Sequence, residues 1–182
     1  MERAIATLES ISVAQGYLAT DAMLKAADVS LLWACTICPG KYLVVVSGQV
    51  SAVRSSLAAG LQAAGEAAID HMILPNVHPD VFAALADATD PGLPKDLGVV
   101  ETMAAPVALE AADAAVKAAQ VKLLEIRIGR GMGAKSFFSL TGEISNVKTA
   151  VAAARAIVGE RGFLVDAVVI SRPHRALLEA ML

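Results

Sequence analysis

The sequence predicts an α+β protein of two tandem ferredoxin-like domains, residues 1–90 and 94–182, each ordered strand–helix–strand–strand–helix–strand. Three observations carry this. First, the chain repeats itself. Glu9-Ser10 returns as Glu101-Thr102, and "DAMLKAADV" (Asp21 to Val29) returns as "DAAVKAAQV" (Asp113 to Val121), both 92 positions on. After a short insertion Lys41 matches Lys135, Gly48 matches Gly142, Val53 matches Val147, and Gly65-Glu66 matches Gly159-Glu160. Second, each half alternates between strand-like and helix-like hydrophobic spacing in the same order. Third, "ATDPGLPKD" (Ala88 to Asp96) sets two prolines and a glycine between the halves, which marks a linker.

Taken in order, Ile5 to Leu8 reads as a short strand. Val13 to Ala27 has apolar residues at helical spacing and stops before Asp28. Leu31 to Ile37 and Tyr42 to Ser47 are apolar, β-prone and joined by the tight turn Cys38-Pro39-Gly40-Lys41. Val50 to Ala64 is an amphipathic helix, Met72 to Leu74 a fourth strand, and Val81 to Ala86 a short helix. The second half repeats this plan from Leu97 to Met181.

Composition narrows the function classes. The 182 residues are 56% hydrophobic with only 4% aromatics, and much of the excess is alanine and valine. Together with a mean hydropathy of +0.60, this is more apolar surface than a small core consumes, and it points to extensive subunit interfaces. No run approaches the 18 uncharged apolar residues of a membrane span, and Met1 to Glu9 lacks a signal-peptide pattern, so a cytosolic protein without a membrane partner is expected. A formal charge of −3 argues against a dedicated nucleic-acid binder.

Two cysteines, Cys35 and Cys38, stand three residues apart. A thioredoxin-like CxxC opens a helix, whereas Pro39-Gly40 and the strand "YLVVV" follow here, so a dithiol enzyme is not indicated. Cys35 shares the strand parity of Leu31 and Trp33 and is expected in the core. Cys38 falls on the turn itself. Pro39 restricts the backbone beside it and Gly40 permits close approach of another chain. A single cysteine without a His/Cys cluster cannot hold a metal within one polypeptide.

The pattern "LE…G…ADAxLKAAxVxL…GK…GxxxxV…GE…PH", which each half follows in part, resembles the bacterial microcompartment (BMC) shell domain, and two copies in tandem resemble its BMC-T class. The resemblance spans the whole chain in unpermuted order. It implies a homotrimer that mimics a hexamer and tiles edge to edge with other shell proteins around metabolic enzymes, in a shell lying within the cytoplasm. It further implies that the turns after the second strands surround a central pore: Ile37, Pro39 and Gly40 from the first domain, and Arg130, Gly131, Met132 and Gly133 from the second, with Arg130 facing the axis. In members with a cysteine at this turn, three copies ligate one 4Fe–4S cluster on the threefold axis. The matching ligand is Cys38, and an encapsulated redox enzyme is then a further partner. The residues alone leave open that Cys38 is a non-ligating thiol in an open, purely structural tile. Three thiolates about 6 Å apart would repel by roughly 3 kcal/mol per pair at an effective dielectric near 20, so without metal they are expected to be protonated.

The resemblance also makes Lys25 and Lys117, at the ends of equivalent helices, and Arg172 and His174 tile-edge contacts. In the first half Asn76 stands where the second has Arg172, so the two edges should differ. "GRGMGAKS" (Gly129 to Ser136) nearly fits the phosphate-loop pattern GxxxxGK[ST], but Ala134 stands where glycine is required and a strand is expected to follow. A nucleotide-binding signalling protein is therefore the alternative of another class. His71, His78 and His174 do not cluster in sequence, and the matching Glu9 and Glu101 are explained by duplication. No nucleophile–base constellation is visible, and no enzyme is expected.

Overall fold

The computed structural model describes residues 4–90, 92, 94–129 and 131–181. The first repeat consists of β1 (Ala4–Ser10), α1 (Val13–Ala26), β2 (Ser30–Ile37), β3 (Lys41–Gly48), α2 (Val50–Ala64), a single 3-10 turn (Gly65–Ala67) and β4 (Ala68–Leu74), followed by α3 (Pro79–Leu85). The second repeats the plan with β5 (Asp96–Thr102), α4 (Ala105–Ala118), β6 (Val121–Ile128), β7 (Ser136–Gly142), α5 (Ile144–Glu160), β8 (Leu164–Ile170) and α6 (Arg175–Met181). Each repeat forms one antiparallel sheet, in the orders β2-β3-β1-β4 and β6-β7-β5-β8. This is the ferredoxin-like order, in which the two outer strands flank a central pair.

The first core shows why these residues fold so. Ala4, Ala6 and Leu8 of β1 alternate onto one sheet face with Val44 and Val46 of β3, and Ala19, Met23, Val53 and Leu57 of α1 and α2 close over them. Gly60 is where α2 passes close to α1. A Cβ there would lie 2.5 Å from Met23 Cγ and 3.4 Å from Leu8 Cδ1. Ser12 starts α1 by accepting the Gln15 N–H at its side-chain oxygen.

The chain packs as two compact units that exchange short segments. One comprises residues 1–77 with Ala104–Pro106 and Gly129–Ala134, and the other the remainder. Helix α3 therefore belongs with the second repeat, where it packs on β6. His78 caps α3, its Nδ1 accepting from Asp80 N–H, while its own N–H donates to the buried Asp113 carboxylate at 2.8 Å. The linker is tied to the same sheet: Thr89 donates to the Leu124 carbonyl, and Asp87 pairs with Arg127 at 2.8 Å.

Candidate functional site

Two turns come together within the first compact unit. The cysteine turn is residues 38–40, between β2 and β3, and the second is the segment 129–134, between β6 and β7. Cys38 is a half-buried thiol, Pro39 and Gly40 are exposed, and Ile37 beneath them is buried. The Cys38–Pro39 peptide is cis, and Gly40 takes φ +84°. Gly40 N–H donates to the Ile37 carbonyl at 3.1 Å, closing the turn, and Cys38 N–H donates to the Gly129 carbonyl at 2.7 Å. Gly131 and Gly133 are exposed with φ of +72° and +60°. Met132 is half-buried, and Arg130 lies outside the described residues.

Just behind the cysteine turn, Lys41 Nζ meets Glu9 Oε1 at 2.7 Å. Glu9 is 2% exposed, and this pair ties the root of the turn to β1. The second repeat carries the same link, Lys135 to Glu101 at 2.7 Å, in a more open setting. Duplication alone accounts for the match of Glu9 with Glu101 in the sequence. The signal that identifies them is the lysine conserved between the two halves of this chain at the opposing position. Next along β3, Tyr42 stacks on Tyr17 at 4.9 Å, and burial, reinforced by Tyr17, pushes its hydroxyl pKa above the ordinary value.

Cys35 is not in the helix-side core. The register places it opposite Leu43, which lies opposite Glu9, and this row is out of phase with Leu8 and Val44 of the core. A bulge between Leu31 and Trp33 breaks the simple parity on which a core placement rests. Cys35 is half-buried on the sheet face away from the helices.

The remaining predicted residues sit apart from the turns. Lys25 pairs with Asp21 at 2.6 Å on an exposed helix end. Its repeat mate Lys117 pairs with Asp113, the carboxylate that also holds residue 78. Arg172 takes φ +50° and its N–H donates to Asp96, while its counterpart Asn76 takes φ +53°. His174 receives the Ala176 N–H at Nδ1, the same local bond that His78 makes ahead of α3. The structure does not favour the phosphate-loop reading: Lys135 leads into strand β7, not into the helix that such a loop opens.

Iron–sulfur groups are held by cysteine thiolates. One chain offers a single thiol at this turn, and among the described residues no group of three or more His, Cys, Asp or Glu side chains could hold a metal ion. The donor chemistry fits such a group only where copies of the turn converge.

The fold and this pair of turns define a tandem shell-domain protein. The BMC domain matches residues 4–77 and again 96–173, and the chain belongs to the bacterial microcompartment shell-protein family. It is 40% identical over 181 residues to the bacterial microcompartment shell protein PduT of Citrobacter freundii, covering 100% of this chain and 98% of that one. A microcompartments protein from Desulfitobacterium hafniense superposes with a TM-score of 0.92 at 49% identity, covering 97% of this chain and 98% of that one. A fused permuted hexameric shell protein of the RMM microcompartment gives a TM-score of 0.66 at 26% identity, over 87% of this chain and 84% of that one. The protein is a structural shell protein of the PduT type, located in a microcompartment shell. No helix among the described residues is long and apolar enough to cross a membrane.

Proposed function

We propose that three copies of the chain close into a pseudohexameric tile whose three Cys38 thiolates ligate one 4Fe–4S cluster on the threefold axis, so that the tile passes electrons across the shell. The observation that carries the reading is Cys38 itself. It is a half-buried thiol at a turn whose backbone is fixed on both sides, by Gly40 to Ile37 and by its own amide to Gly129. When bound, such a cluster supplies one-electron redox chemistry, with cysteine thiolates as ligands. The chain's own part is to hold the thiol in place at the rim formed with Gly131, Met132 and Gly133.

Trimer closure is supported by unequal burial of equivalent helices. Tyr17 of α1 is 63% exposed, whereas its repeat mate Leu109 of α4 is 0% exposed. Leu24 and Val116 show the same contrast, at 38% and 7%. A single chain leaves open on α1 the face that is closed on α4. A second copy meets that need through a head-to-tail contact, which generates a ring when the rotation closes. Tile edges at Lys25, Lys117, Arg172 and His174, and a redox enzyme on one face, complete the proposal.

The test is anaerobic purification followed by visible absorption and electron paramagnetic resonance. Broad absorbance near about 400 nm is expected for a thiolate-held cluster, lost in Cys38→Ser and kept in Cys35→Ser. A colourless, iron-free trimer would make the protein a purely structural tile.

A further inference from the structure

The two turns differ in length and sequence, yet a hydrogen bond joins them where the cysteine sits. Cys38 N–H donates to the Gly129 carbonyl at 2.7 Å, and Gly129 is buried against Ile37. We propose that Gly129 is a positioning residue for Cys38, so that the turn of the second repeat places the thiol carried by the first. The proposal rests on the cofactor reading above for its functional meaning, but not for its geometry.

An amide bonded on one side of Cα fixes the peptide plane from which the Cα–Cβ bond of Cys38 departs. The backbone that carries the thiol is thereby restricted before any ligand arrives. Glycine suits the position on two counts, conformation and contact. Its φ is +52°, a left-handed value that L side chains rarely adopt, and an added Cβ would lie 3.0 Å from Ile37 Cβ and 3.3 Å from Ile37 Cγ2. Ile37 is itself buried directly before Cys38, so displacing it moves the cysteine. Gly131 and Gly133 share the left-handed conformation, yet a Cβ on either would meet nothing within 4 Å. Strain of conformation is thus common to all three, and contact with the cysteine turn belongs to Gly129.

That difference supplies the control. In a Cys35→Ser background, the metal-free oligomer of Gly129→Ala should be alkylated at Cys38 about fivefold faster than its parent, the factor that one net hydrogen bond represents. Gly131→Ala should match the parent, and Ile37→Ala combined with Gly129→Ala should return the rate to within about twofold, because the clash has lost its partner. Visible absorbance per trimer after anaerobic purification should run the opposite way, lowered in Gly129→Ala and kept in Gly131→Ala and in the double variant. Equal alkylation rates in Gly129→Ala and Gly131→Ala would overturn the proposal. If the parent shows no absorbance while the alkylation contrast holds, the brace stands and the cofactor reading falls; absorbance without the contrast gives the reverse. Should Gly129→Ala fail to fold, exchange of the Cys38 amide in the unsubstituted protein decides. Protection of at least about tenfold over the unstructured rate supports the bond, and free exchange removes it.

Discussion

Glu9 and Lys41 show how much environment governs a pair that repeats. Both repeats place a glutamate on the first strand against the lysine that opens the third, but Glu9 is buried and Glu101 is partly open. Removing one partner of a buried pair leaves an uncompensated charge, whereas an open pair is worth little. Lys41→Met should therefore cost about 3 kcal/mol of stability in chemical denaturation. Lys135→Met should cost under about 1 kcal/mol. Equal losses would show that burial of Glu9 does not set the cost. The same contrast applies to Lys25 and Lys117, identical in sequence position but paired with an exposed and a buried aspartate.

At the scale of elements, two helix glycines give opposite expectations. Gly60 in α2 faces Met23, and a Cβ would meet Cγ at 2.5 Å and Sδ at 2.8 Å, while Gly159 in α5 has nothing within 4 Å. Gly60→Ala should destabilise the fold by about 1–2 kcal/mol, because overpacking outweighs the gain in helix propensity. Gly159→Ala should stabilise it by roughly 0.5–1 kcal/mol. Thermal unfolding followed at 222 nm reads both signs. The elements themselves were legible in the sequence. The helix expected over Val13 to Ala27 spans Val13–Ala26, and the helix over Val50 to Ala64 matches throughout. Strand ends were less legible: Met72 to Leu74 is the end of a strand that starts at Ala68, because its outer residues alternate too weakly to signal themselves. Cys35 was misplaced because a bulge shifts register and leaves no mark in hydrophobic spacing.

At the scale of the whole molecule, the repeat is symmetric in sequence and asymmetric in exposure. Leu24→Asp introduces a charge on a surface that one chain leaves open, so the fold should persist while the proposed trimer, three times the chain mass of 18.7 kDa, falls toward the monomer. Light scattering measures this directly, and an unchanged mass would remove α1 from the interface. The sequence by itself determined the duplication, the strand and helix order and the turn that bears Cys38, because periodicity, glycine, proline and repeated charges are local signals. Only the tertiary structure decided which sheet takes α3, which carbonyl holds the Cys38 amide and which of two matching glutamates is buried. Those outcomes depend on segments far apart in the chain meeting in space, and no spacing along a sequence encodes the distance between them.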